Sequence, residues 1–127
     1  MYKRYNKFGN KKCTYKGLKF DSIGEKNRFI ELEKLQSRKQ ISNLETQVTF
    51  ELQKKFTDQH GVKHRAITYR ADFVYIDSEG CRVVEDYKSK ATAKEPLYRW
   101  KMKMMVLKLL KMQEREGVEY RFNEYVK

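Results

Sequence analysis

The tetrapeptide Asp77-Ser78-Glu79-Gly80 limits the folds open to this chain more than any other segment. Asp and Ser bond back to nearby backbone, and Gly tolerates positive φ, so the run reads as a tight turn. Strand-like stretches flank it, roughly Ala66 to Ile76 and Cys81 to about Lys88, which predicts an antiparallel hairpin. If Ser78, Glu79 and Gly80 form a three-residue loop with Gly80 left-handed, Asp77 opposes Cys81 and Asp72 lies directly across from Asp86. A four-residue loop would shift the register by one and put the two acids on opposite faces. Residues two apart on a strand share a face, so Asp86 and Lys88 point the same way and Glu85 points away.

The remaining periodicities supply the other elements. Thr14 to Phe20 alternates around Gly17, as a short hairpin or bent strand would. Ser22 is placed to cap a helix, with Glu25 three residues on in capping-box position. Phe29, Ile30, Leu32 and Leu35 continue at helical spacing, and the pattern runs out near Lys39. Leu44, Thr46, Val48, Phe50 and Leu52 alternate with polar residues as a strand, and Thr57-Asp58-Gln59-His60-Gly61 is a turn. Pro96 marks the first turn of a long helix reaching about Glu116, with Gly117 as its stop, and Val118 to Val126 alternates as a last strand. The predicted order is helix, three strands, helix, strand. At 127 residues this is one α/β domain, 1–127, with a mixed sheet flanked by helices and a loose basic arm at about 1–12.

Asp72, Asp86 and Lys88 sit among largely apolar neighbours, where charges are costly without a purpose. Two carboxylates on opposed strand positions repel unless a cation lies between them or one is protonated. Magnesium suits such a pair, because it takes one or two carboxylates, a backbone carbonyl such as that of Tyr87, and retained waters. It would acidify a bound water and stabilise charge on a phosphoryl oxygen, with Lys88 orienting that water or neutralising the transition state. The competing reading makes Asp72 and Lys88 an ordinary cross-strand ion pair and leaves Asp86 solvated. Glu85 ranks second to Asp86 as the acid.

Lysine and arginine number 29 against 17 acids, for a net charge of +12, which favours a polyanionic partner. A ribosomal or other basic structural protein carries the same balance. No apolar run of about 18 residues is long enough to span a bilayer, and no apolar stretch follows the first charges as in a secretory signal. Cys13 and Cys81 are far apart without a CxxC spacing, and His60 and His64 fall in a loop, so reduced thiols and a cytoplasmic setting are expected. After the acidic motif come Lys90, Lys94, Arg99 and Lys101, of which Lys90 and Lys94 follow Lys88 most closely as candidates for DNA contact. Along the second helix Trp100 is expected in the core. Its many apolar residues spread wider than one stripe, which fits either an interface, as in a homodimer, or a helix deeply buried in the monomer.

An acid on a first helix, an Asp on the second strand of a meander and (D/E)xK on the third resemble the PD-(D/E)XK nuclease superfamily, whose restriction-endonuclease-like core runs αβββαβ. More narrowly, Gly17 to Glu25, Ile41-Ser42-Asn43-Leu44-Glu45, Ala71-Asp72-Phe73-Val74-Tyr75 and Val84-Glu85-Asp86-Tyr87-Lys88 are similar to a family of small phage-encoded proteins assigned to it. Ala71 stands where the superfamily's name has proline. The resemblance implies a metal-dependent DNA endonuclease using Mg2+, with Mn2+ as a substitute, in the host cytoplasm. By that likeness Asp72 and Asp86 are metal ligands, Lys88 is the catalytic lysine, and Glu25 is the first-helix acid and a further ligand. On the local rules alone Glu25 is a capping residue. Analogy with small dimeric members suggests a Holliday-junction resolvase acting on branched DNA in phage recombination. The alternative is a DNA-binding recombination accessory without catalysis.

Overall fold

The computed structural model describes residues 11–127. The basic arm expected at about 1–12 falls almost wholly outside them. β1 (Cys13–Tyr15) and β2 (Leu18–Phe20) form the small hairpin, closed by Lys16 and Gly17, both at positive φ (51° and 79°). Two consecutive left-handed residues match the twist of flanking strands, and Gly17 adopts that region without penalty. α1 (Ile23–Ser37) starts at Ser22, whose side chain accepts from the Glu25 N–H.

β3 (Ser42–Gln53) then runs out towards a minor hairpin, β4 (Phe56–Thr57) and β5 (Lys63–His64), and β6 (Ile67–Ile76) returns beside it. The turn into β7 (Arg82–Lys88) takes the three-residue form of the two considered: the Asp77 N–H donates to the Cys81 carbonyl at 2.9 Å, and Gly80 lies at φ 84°. Observed pairs include Ile76 with Arg82 and Phe73 with Glu85, the register that brings Asp72 level with Asp86. A four-residue helix, α2 (Lys90–Ala93), not foreseen from the sequence, precedes α3 (Pro96–Glu116). Pro96 occupies the first turn of α3, and Gly117 ends it at φ 70°. β8 (Tyr120–Val126) closes the chain.

The main sheet has the order β3-β6-β7-β8, antiparallel except for the parallel β7–β8 pair, so it is mixed as expected. Helices cover both faces. Phe29 and Leu32 of α1 pack with Phe73, Tyr75 and Val83, whereas Met105 and Leu109 of α3 pack with Tyr69, Ala71 and Val84. β6 therefore changes faces: Tyr69 and Ala71 serve the α3 core, and Phe73 and Tyr75 serve the α1 core. The change falls at Asp72, at the level of Gln47 on β3, a residue with φ 52°. Strict strand alternation breaks at the residue that carries the candidate chemistry. Trp100, expected in the core, is 68% exposed, because the sheet-facing stripe of α3 is Tyr98, Met105 and Leu109. The deeply buried alternative for this helix is corrected likewise. Among the described residues no helix is long and apolar enough to cross a membrane.

Candidate functional site

Three stretches remote in sequence meet at one end of the sheet. α1 supplies Glu25 in its first turn, fixed there by the Ser22 cap at 3.0 Å. β6 supplies Asp72, whose Oδ2 accepts the Tyr87 N–H at 2.8 Å and so ties this carboxyl to the β7 backbone. β7 supplies Asp86 and Lys88. Asp86 is fully buried; its Oδ2 accepts from Tyr69 Oη at 2.5 Å and lies 3.4 Å from Lys88 Nζ. The Lys88 ammonium also sits 5.2 Å from the centre of the Tyr98 ring. Glu25, Asp72 and Lys88 line a pocket of about 120 Å³ together with Ser22, Ser89 and Thr92.

The electrostatics follow from crowding acids away from water. Burial, then a hydrogen bond shared with Asp86 and the charges of Asp86 and Glu25, push Asp72 up to about 10, against a weaker opposing pull from Lys88. Without a cation this carboxyl keeps a proton at neutral pH. Glu25 is raised by burial first and then by the charge of Asp21, while the Asp21 N–H and Lys88 pull the other way. Burial and the neighbouring Asp86 also hold the Tyr69 and Tyr98 hydroxyls in their neutral form.

Asp72, Asp86 and Lys88 converge. The reading with a solvated Asp86 fails, since that side chain has no exposure and is itself the partner of Lys88. Glu25 caps by one oxygen only, and one residue earlier than expected: Oε2 accepts from the Asp21 N–H at 3.3 Å. Glu85 faces the other side, held by Arg28 of α1. Lys90 and Lys94 border a separate pocket of about 460 Å³ with Arg99, which shares no lining residue with the carboxylate pocket. Lys101 lies half-buried on α3 and lines neither pocket. Tyr69 and Tyr98 were not foreseen at the site. Their approach depends on the face change of β6 and on the rotation of α3, neither of which leaves a local sequence signal. Ser89 has one, since its Oγ caps α2 by accepting the Thr92 N–H at 3.2 Å.

Does this donor set suit a metal? Among the described residues no three His, Cys, Asp or Glu side chains are already arranged to hold one. Yet three buried side-chain oxygens lack any partner, Glu25 Oε1, Asp86 Oδ1 and Tyr98 Oη, and all three surround Lys88 and the paired acids. Buried polar atoms are ordinarily satisfied, so orphans gathered at one place call for a ligand. Carboxylate oxygens with a nearby backbone carbonyl and room for water match the needs of magnesium, which takes few protein ligands. The residues fit a hard divalent cation.

Fold and site together define a mixed α/β domain with a buried carboxylate–lysine cluster at one end of its sheet. Residues 5–121 match the family described as a protein of unknown function (DUF1064), and the chain belongs to that family. No curated protein and no solved structure matches it.

Proposed function

We propose that the chain is a metal-dependent DNA endonuclease of the PD-(D/E)XK type, hydrolysing phosphodiester bonds. One observation carries the reading: Asp72 and Asp86 are forced together beside Lys88 and Glu25, with bare buried oxygens on Asp86 and Glu25. A fold needs no such arrangement for stability, because apolar residues of the same size pack there at lower cost. The net charge of +12 supports a polyanionic substrate.

Asp72 and Asp86 would hold the cation, Mg2+ or Mn2+, with the Tyr87 carbonyl and Glu25 as further ligands. When bound, such an ion supplies charge stabilisation at a phosphoryl oxygen and acidifies water. The chain's own groups do the rest. Lys88 keeps its ammonium beside Asp86 and can steer a proton-bearing oxygen or neutralise developing phosphoryl charge. Tyr69 orients the Asp86 carboxylate through Oδ2, leaving Oδ1 as the donor. Lys90 and Lys94, which border the neighbouring pocket and follow Lys88 in the chain, would take flanking phosphates. A branched substrate, as for a junction resolvase in phage recombination, is the subtype suggested by analogy with the superfamily.

The test is cleavage of supercoiled plasmid and of four-way junctions with Mg2+, Mn2+ or EDTA. Metal-dependent cutting lost in Asp86→Ala, with DNA binding kept, is the expected result. Binding without cutting under every metal condition would replace the enzyme by a DNA-binding accessory.

A further inference from the structure

The carboxylate pocket has a basic neighbour. Between the β1–β2 hairpin and the main sheet lies a cleft of about 600 Å³, with Phe20 in its wall and Lys12, Lys19 and Arg70 around it. Asp21 belongs to both spaces, lining this cleft and the carboxylate pocket, so the two adjoin. The cleft is held in shape from two sides. Gln47 Nε2 donates to the Lys19 carbonyl at 2.9 Å, which ties the hairpin to β3. Cys13 Sγ donates to the Ser22 carbonyl at 3.5 Å, which ties it to the start of α1. Gln47 is the left-handed residue of β3, at the level where β6 changes faces.

We propose that this cleft holds the phosphodiester backbone of the DNA strand being cut, with Lys19 and Arg70 on phosphates at the Asp21 side of the scissile bond. The inference rests on the nuclease reading for where the strand leads, and on the cleft's own charges for what it binds. Three bases face one acid. Among the described residues Lys12 and Lys19 pair with no acid, and Arg70 meets only Asp21, through one contact of 3.3 Å with both side chains 54% exposed. A single exposed contact of that kind stabilises little. A phosphate offers the guanidinium two parallel hydrogen bonds, so Arg70 can exchange Asp21 for the substrate. Arg99, in the pocket beside Lys90 and Lys94, is held by both oxygens of Glu124 at 3.2 and 3.0 Å. Arg70 is therefore the more readily exchanged of the two. It stands two residues before Asp72 on β6, about 7 Å along the strand, which sets its charge close beside the carboxylates.

The electrostatics give this path a measurable signature. Each phosphate neutralised by a base releases condensed cations, so binding to duplex DNA falls with salt by a log–log slope of about 0.9 per contact. One contact is then worth about eightfold in affinity at 0.1 M NaCl and about threefold at 0.3 M.

Fluorescence anisotropy of a short labelled duplex in EDTA, over about 0.05–0.3 M NaCl, reads binding apart from any cleavage. Lys19→Ala and Arg70→Ala should each weaken binding about eightfold at 0.1 M NaCl and lower the slope by about 0.9, with melting temperatures held. Lys111→Ala, about 20 Å further along α3 than Tyr98, should leave the slope in place. Asp21→Asn should tighten binding several-fold, because Arg70 is released and a repelling carboxylate is gone. Lower melting with unchanged binding in that variant would make the pair purely structural and overturn the inference. Where Mg2+ supports cleavage, the two basic variants should raise KM and keep kcat within about threefold. The same binding losses in a chain that never cuts would uphold the cleft and remove the nuclease reading alone. Wild-type affinity and slope in both Lys19→Ala and Arg70→Ala overturn the inference, and a loss confined to Lys90→Ala and Lys94→Ala moves the strand to the α2 side.

Discussion

Glu85 and Asp86 are neighbours in the chain, both have no exposed surface, and they face opposite sides of the same sheet. Their surroundings differ in kind. Glu85 accepts from Arg28 Nε and Nη2 at 2.7 and 2.8 Å, from Tyr75 Oη at 3.0 Å and from Asn123 Nδ2 at 2.8 Å, so its charge is fully met. Asp86 has Tyr69 and Lys88 on Oδ2, shares a hydrogen bond with the protonated Asp72, and has no backbone or basic donor on Oδ1. The first carboxylate clamps α1 to β6, β7 and β8. The second keeps a donor in reserve.

Stability should separate the pair. Glu85→Ala leaves Arg28, itself mostly buried, with only the exposed Glu31 as an acid partner, leaves Tyr75 and Asn123 without their acceptor, and is expected to cost about 3 kcal/mol in urea unfolding. Asp86→Asn removes one of two crowded acids and is expected to leave the metal-free protein unchanged or about 1 kcal/mol more stable. Equal losses in the two variants would mean that Asp86 is as structural as Glu85.

Metal and pH act on the same site with opposite signs. The folded metal-free protein keeps the Asp72 proton up to about 10, whereas the unfolded chain releases it near 3.8. Folding thus takes up a proton throughout that window, so this group's contribution is greatest below pH 4 and is lost as pH rises towards 10. In EDTA the melting temperature should fall more steeply between pH 6 and 9 in the wild type than in Asp72→Asn. A cation substitutes for the proton: at a concentration about 100 times its dissociation constant it adds about 2.7 kcal/mol, read as a shift of several degrees. Asp72→Asn and Asp86→Asn should both lose that shift. A shift of unchanged size in both variants would place the ion elsewhere.

Much of this arrangement was legible in the residues, and what was missed has a physical pattern. The Asp77–Gly80 residues marked the turn but left two loop lengths open, and the three-residue one that forms dictates the register that brings Asp72 to Asp86. Ser22, Pro96 and Gly117 marked helix ends through local backbone needs, which a sequence displays directly. The failures concern rotation about an axis. Trp100 and Tyr98 differ by two positions on one helix, and only the sheet beneath decides that the tyrosine turns inward. Likewise Tyr69 reaches Asp86 because β6 changes faces at Asp72, a tertiary event that alternation cannot express.

Gly24 carries a further expectation. It lies in the first turn of α1, and a methyl group there would overlap the Tyr87 ring. Ordinarily Gly to Ala within a helix is stabilising by up to about 1 kcal/mol. Here the overlap should dominate, with Gly24→Ala costing about 1–3 kcal/mol. Because Tyr87 adjoins the carboxylate pocket, the variant should also weaken metal-induced stabilisation. A gain in melting temperature would show that the ring moves aside freely.

The β4–β5 hairpin should respond to acid by itself. Asp58 Oδ1 accepts the N–H groups of His60 and Val62 at 2.8 and 3.0 Å, and Oδ2 meets His64 Nε2 at 2.8 Å. The His64 contact and then the two backbone bonds hold Asp58 below the usual carboxylate range. A lowered carboxyl stabilises above its unfolded value and loses that contribution as pH falls through its folded one. Protection of the His60 and Val62 amides, relative to their intrinsic exchange at each pH, should therefore fall below pH 4 with the main sheet unaffected. Asp58→Ala should show the lowered protection already at pH 7.

Lys88 separates catalysis from simple charge balance. If its ammonium only neutralises Asp86, removing it leaves the acids more repulsive, and the metal-free protein alone should suffer. If it acts on the reacting phosphate, cleavage should fall by about 100- to 1,000-fold in Lys88→Met, the usual scale for one preorganised charge. The metal-induced melting shift would at the same time persist or grow, because a cation that competes for Asp86 Oδ2 is gone. Methionine keeps the contact with the Tyr98 ring, so packing is largely preserved. The decisive measurement is both readouts on one preparation: lost cleavage with a retained metal shift assigns Lys88 to the chemistry, and loss of both assigns it to the shape of the site.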